Sequence, residues 1–234
     1  MKPMIRKLFN QNTLRLHRMD THLSLRSQAP LTVLSSAPLG GGFFHTQTIV
    51  NRQVDKGYRE TDPVGETRRW LAQHGYDPGK TAAMLTAASI KDAAVVEAES
   101  TRVRVAAVVT AGVSNAARAG TDGPVYTRCP EPGTINTILL VDGQVTEAAM
   151  VNTVITVTEA KTAALEELRI TDREGRPATG TTTDAVVIAV TGETRDRYVH
   201  AYGGPASPLG QAGGRAVFEA VREALLRAGE AVRR

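Results

Sequence analysis

Between Thr146 and Ala189 the chain gathers most of the side chains able to do covalent chemistry. Glu159 and Lys161 stand in a helix-compatible run, and the cluster Ala178-Thr179-Gly180-Thr181-Thr182-Thr183-Asp184 opens directly onto the apolar run Ala185 to Val190. Two carboxylates, one amine and four threonine hydroxyls therefore share one short stretch with a flexible backbone. Groups of these types act as proton acceptors, proton donors and nucleophiles. Each also has a plainer reading. Glu159 suits the first turn of a helix, where the dipole favours a carboxylate; Asp184 suits a turn cap, and threonines suit strands.

The elements that must position these groups follow from periodicity. If Val145 to Leu168 is one helix, Met150, Val154, Val157, Leu165 and Leu168 form a stripe with Lys161 in its middle. A lysine there must reach the rim or find a partner, because a lone buried ammonium is costly. The run Val151 to Thr158 is also rich enough in Val, Ile and Thr to be a strand, with Thr158 capping a shorter helix from Glu159. Upstream, Thr13 to Arg18 and His22 to Ser27 alternate as a β-hairpin, and Leu31 to Ala37 is a strand running into Gly40-Gly41-Gly42. That glycine turn leaves backbone open to close approach, or is merely a wide turn. Thr48 to Val54, with Asn51 inside it, reads as a strand; Thr61 or Asp62 caps a helix with Pro63 in its first turn, ending near Gly75.

Ala82 to Ser89 is read as a strand, and Val103 to Thr110 as a buried one that breaks into Gly112, Ser114 and Asn115. Thr137 to Val141 and Val186 to Val190 are further strands, Tyr198 to Tyr202 is a short element, and a long helix runs from Ser207 with Val217, Val221, Leu225 and Ala228 inward. The expected fold is a mixed α/β single domain over 1–234: a central mixed sheet flanked by helices, an N-terminal hairpin extension over 1–30 and a long C-terminal helix.

Composition narrows the function. The 234 residues suffice for one large core, built from aliphatics because aromatics make up only 4%. The single cysteine, Cys129, sits between Arg128 and Pro130 in an expected turn; it permits no intrachain disulfide and fits a reducing, cytoplasmic setting. No metal site is expected, since only His17 and His22 among five histidines stand five residues apart, and they fall in the hairpin. His45 and His200 are alternatives for a general acid or ordinary surface histidines. A net charge of +4 spread among acidic neighbours argues against a nucleic-acid partner. No apolar run approaches the roughly 18 residues of a membrane span.

Five separated motifs carry a resemblance. They are Leu34-Ser35-Ser36-Ala37 with Gly40-Gly41-Gly42; Thr110-Ala111-Gly112-Val113-Ser114-Asn115-Ala116; Gly133-Thr134-Ile135-Asn136; Thr158-Glu159-Ala160-Lys161; and the threonine cluster to Asp184. In this order the sequence, from about Val33 to about Ala220, resembles the adenosylcobinamide amidohydrolase family. The resemblance implies hydrolysis of the amide joining aminopropanol to the corrin ring of adenosylcobinamide, giving adenosylcobyric acid in cobalamin salvage. It implies a small-molecule corrinoid as partner, no cofactor beyond the cobalt the substrate carries, and admits a homo-oligomer. Thr182 departs from the pattern, which has glycine there. A corrinoid carrier or sensor without catalysis is the competing class, and a threonine acyltransferase that cleaves its own chain is a third.

Amide hydrolysis needs an activated nucleophile, donors for the oxyanion and an acid for the leaving amine. Two routes stay open. In one, Glu159 or Asp184 activates water while Lys161, Asn115 and the backbone at Gly180 hold the oxyanion. In the other, a hydroxyl of Thr179, Thr181, Thr183 or Ser114 attacks with Lys161 beside it. Glu159, Lys161, Asp184 and Thr181 are thus the expected catalytic residues. Gly40, Gly41, Gly42, Ser114, Asn115, Thr134, Asn136, Thr179 and Gly180 are the expected substrate-binding residues.

Overall fold

Two strand–helix–strand units set the architecture, because parallel strands need a long crossover and here each crossover is a helix. The computed structural model describes residues 4–122, 133–193 and 197–230; Cys129 lies outside them. In chain order the elements are β1 (Met4–Lys7), β2 (Leu14–Arg18), β3 (His22–Ser35), β4 (Gly42–Gln53), α1 (Pro63–Gln73), β5 (Thr81–Thr86), β6 (Ala94–Ser100), β7 (Val103–Ala111), β8 (Ala116–Ala117), β9 (Ile135–Asp142), β10 (Gln144–Val145), α2 (Glu147–Glu167), β11 (Gly180–Thr181), β12 (Ala185–Val190), β13 (Val199–His200) and α3 (Pro208–Ala228). β4 and β5 are parallel across α1, and β9 and β12 are parallel across α2.

Nine of these strands form one mixed sheet in the order β1-β2-β3-β12-β9-β7-β6, with β4 beside β3 and β5 beside β4. The expected hairpin is present, but its second strand does not stop at Ser27. β3 runs on to Ser35 across a register shift between Arg26 and Leu31, so residues 14–35 are part of the central sheet. The sheet curls until its edges meet: Arg6 of β1 reaches the Val95 carbonyl at 3.2 Å and pairs with Glu97 of β6 at 3.0 Å. β1 and β6 carried no signal strong enough to be expected from sequence.

Both faces of β9 are buried, which is why it reads as a continuous apolar run. Leu139 and Val141 face α2 and α3 with Ile188, Met150, Val157, Val217 and Leu225, whereas Ile138 and Leu140 face the interior of the curl with Leu25, Ile49, Met84 and Val187. The α1 cap falls where expected, Asp62 accepting from the Gly65 amide at 2.9 Å with a proline in the first turn; α3 starts at the expected place, and there Ser207 Oγ accepts from the Gly210 amide at 3.0 Å. α2 is one continuous helix capped by Thr146, so the strand reading of 151–158 does not hold. Burial of Thr153, Thr156 and Val157 against α3 and the sheet outweighs their preference for extended backbone.

Candidate active site

The reactive groups converge because α2 runs back along β12. Its fifteen residues from Glu147 to Lys161 rise about 21 Å, close to the roughly 20 Å of the six-residue β12. Lys161 therefore arrives at the turn that starts β12. Its Nζ lies 2.5 Å from Asp184 Oδ2, with both side chains largely shielded.

Asp184 is held by four donors. Besides Lys161, the Thr181 amide donates to Oδ2 at 3.1 Å, the Ile135 amide to Oδ1 at 3.0 Å, and the Thr181 hydroxyl to Oδ1. A carboxylate offers about four lone-pair directions, so this one is saturated. Gly180 makes the approach feasible: a Cβ there would stand 2.5 Å from Lys161 Nζ and also collide with Asp184 Oδ2.

The other hydroxyls make their described contacts away from Asp184. Thr179 Oγ1 accepts from the Ala119 amide at 2.8 Å, and Thr183 Oγ1 donates to the Gly133 carbonyl at 2.6 Å. Only Thr181, among the cluster's described hydroxyls, directs its proton at a carboxylate. The loop with Ser114 and Asn115 is pinned alongside by β8, which pairs with β11 through Ala117–Gly180 and Ala116–Thr181. Asn115 Nδ2 donates to Thr182 Oγ1 at 2.7 Å, and Thr134 Oγ1 to the Thr183 carbonyl at 2.8 Å.

Glu159 does not join this group. Two residues from Lys161, it is turned roughly 200° around the helix, and it is exposed. Asn136 is fully buried, with its amide protons on Asn51 Oδ1 at 2.9 Å and the Leu85 carbonyl at 2.8 Å. The glycine turn is tied to the site through the strand before it: the Val186 amide donates to Ser36 Oγ at 2.9 Å, and the Ser36 amide to the Val186 carbonyl at 2.9 Å. Gly40 (φ +75°) is itself required by the fold, since its Cβ would stand 2.9 Å from Ala82 Cα.

His200 is buried at the far end of β9, in β13 against β10, and is no surface histidine; burial pushes its pKa down. His45 stays exposed on β4. Among the described residues no group of three or more His, Cys, Asp or Glu side chains is placed to hold a metal ion, and no helix is long and apolar enough to cross a membrane. Thr162, whose hydroxyl donates to the Thr179 carbonyl at 2.9 Å, and Ser36 were missed as parts of the site; their signal was position beside Lys161 and within the Leu34–Ala37 motif.

Residues 7–232 match the model of the adenosylcobinamide amidohydrolase family. The chain belongs to that family. Membership extends the resemblance into the N-terminal hairpin, consistent with β3 carrying that hairpin directly into the sheet. Among relatives, a Methanosarcina mazei protein named adenosylcobinamide amidohydrolase is 32% identical over 66% of this chain and 67% of its own length. A Halobacterium salinarum protein of the same name is 39% identical over 52% of this chain and 50% of its own. An uncharacterized Methanocaldococcus jannaschii protein is 34% identical over 62% of this chain and 63% of its own.

Proposed function

We propose that this adenosylcobinamide amidohydrolase family member cleaves the amide between aminopropanol and the corrin ring of adenosylcobinamide, yielding adenosylcobyric acid for cobalamin salvage. Family membership over nearly the whole chain is the observation that carries the reading. The geometry around Asp184 supports the chemistry. Its oxygens are filled, so a water would have to displace a donor, whereas the Thr181 proton already rests there.

In this reading Thr181 Oγ1 bonds to the amide carbon while its proton passes to Asp184, and the Lys161 ammonium faces the developing oxyanion. The C–N bond then breaks, with the proton delivered from Asp184 to the departing amine. Water then attacks the resulting ester while one of its protons passes to Asp184; the ester C–O bond breaks, Asp184 returns that proton to Thr181 Oγ1, the water oxygen stays in the new carboxyl group, and its second proton leaves to solvent as the carboxylate forms. The Ser114–Asn115 loop and the turn at Gly40 to Gly42 belong to the same proposal as substrate contacts. So do a cytoplasmic setting and the absence of a resident cofactor, the cobalt being the substrate's own.

The test is incubation with adenosylcobinamide followed by mass spectrometry. Free aminopropanol and a corrinoid bearing a new carboxylate are expected. Binding without either product would leave a carrier or sensor in place of an enzyme.

A further inference from the structure

The interior of the curled sheet is lined by aliphatics such as Ile49, Met84, Val108, Ile138 and Val187, with a string of buried polar side chains at the end nearest the reactive turn. Thr134 is 3% exposed, Asn136 0%, Asn51 2%, Thr110 1% and Thr86 1%, so none is there to meet solvent. Hydrogen bonds run from Asn136 to Asn51 to Thr110, and the Thr134 hydroxyl, with a single proton, lies against two acceptors, Asn136 Oδ1 and the Thr183 carbonyl. Thr134 Oγ1 lies 3.1 Å from Asn136 Oδ1, Asn136 Nδ2 donates to Asn51 Oδ1 at 2.9 Å, and Asn51 Nδ2 donates to Thr110 Oγ1 at 2.9 Å. Asn51 belongs to β4, on the wall opposite β9, so the two amides bridge the curl from side to side.

At its other end the string meets the reactive turn. Residues 133–135 hold that turn at three points: Gly133 accepts from the Thr183 hydroxyl, Thr134 donates to the Thr183 carbonyl, and Ile135 donates to Asp184. The next residue is Asn136, whose side chain is the tie to β4. Replacing two mutually bonded buried polar groups by apolar ones of similar shape can be nearly neutral for folding; here the amides also serve the Leu85 carbonyl and Thr110 Oγ1, so they contribute to stability as well as to placement. Catalysis does call for fixed placement, since an error of 1 Å can cost two orders of magnitude.

We propose that Asn51 and Asn136 are positioning residues for the hydrolysis. The amide pair fixes the start of β9 against the β4 wall and, through Thr134 and Ile135, fixes where Thr183 and Asp184 stand. This rests on the amidohydrolase reading above, and Asn51 acts with no contact to substrate.

The experiment is a kinetic double-mutant cycle on adenosylcobinamide with Asn51→Ala and Thr134→Val, each checked for folding by near-ultraviolet circular dichroism. Asn51→Ala is expected to lower kcat by about 10- to 100-fold with KM within about 3-fold of wild type. The double variant is expected to lose scarcely more than the worse single one, because residues acting as a unit are not additive. If Asn51→Ala does not fold, Asn51→Thr, a β-branched residue with a hydroxyl, takes its place with the same expectations. A folded variant with wild-type kcat, or losses that multiply in the double, overturns the proposal while leaving the hydrolase reading intact. A wild-type protein that turns over no adenosylcobinamide defeats both.

Discussion

At the scale of single residues, the ion pair between Lys161 and Asp184 and the hydroxyl of Thr181 divide activity from stability differently. Thr181→Val removes the proposed nucleophile but leaves its amide on Asp184, so kcat should fall by at least about 100-fold, with a loss of stability no larger than that of Lys161→Ala because one of the four donors to the carboxylate goes with the hydroxyl. Thr181→Ser should restore part of the rate. Lys161→Ala should abolish turnover and also cost stability, about 1.5–3 kcal/mol for a charged hydrogen bond lost from a shielded carboxylate, read as a shift in urea midpoint. Glu159→Gln should turn over adenosylcobinamide within about twofold of wild type, because an exposed side chain on the opposite side of α2 has no contact with the pair. A large loss in that variant would return Glu159 to the mechanism.

Among elements, α2 is the one whose placement matters most, and glycines control it at both ends. At the site, Gly180→Ala would push a methyl between Lys161 and Asp184. The expected outcome is a large fall in kcat in a protein that remains folded, checked by steady-state kinetics beside circular dichroism. Towards the other end, Gly203 packs against the first turns of α2: a Cβ there would stand 2.5 Å from the Ala149 carbonyl and 2.7 Å from the Thr153 amide, while Thr156 Oγ1 donates to the Gly203 carbonyl at 2.8 Å. Gly203→Ala should destabilise by about 1–3 kcal/mol through overpacking, measured by urea unfolding. The two substitutions separate the helix's catalytic end from its structural end.

For the whole molecule, acid stability depends on how histidines are buried. His22 donates to or accepts from Tyr76 Oη at 2.7 Å, lies edge-on to Trp70, and burial lowers its pKa from 6.5 to about 4. Between those values the unfolded chain binds a proton that the folded chain refuses. Stability is therefore complete above pH 6.5 and declines as the pH falls towards 4. His17 and His200, also lowered by burial, act in the same direction. Urea midpoints measured from pH 7.5 down to 4.5 should fall steadily, and His22→Gln should flatten the slope. An unchanged slope in that variant would show that His22 does not drive it.

Local physics made much of this protein legible from its letters. Alternation disclosed the first hairpin, a cap and a proline disclosed α1, the apolar face of Val217, Val221 and Leu225 disclosed α3, and apolar runs disclosed β7 as an interior strand and β9 and β12 as strands. Five motifs in register gave the family. The tertiary structure decided the rest, because periodicity reports which side of an element is dry but not which partner dries it. It turned Glu159 outward and Lys161 onto Asp184, closed the sheet by joining β1 to β6, and brought Asn136 onto Asn51. Each of those outcomes joins residues far apart in sequence, and no local rule along the chain fixes a contact that depends on how the sheet curls.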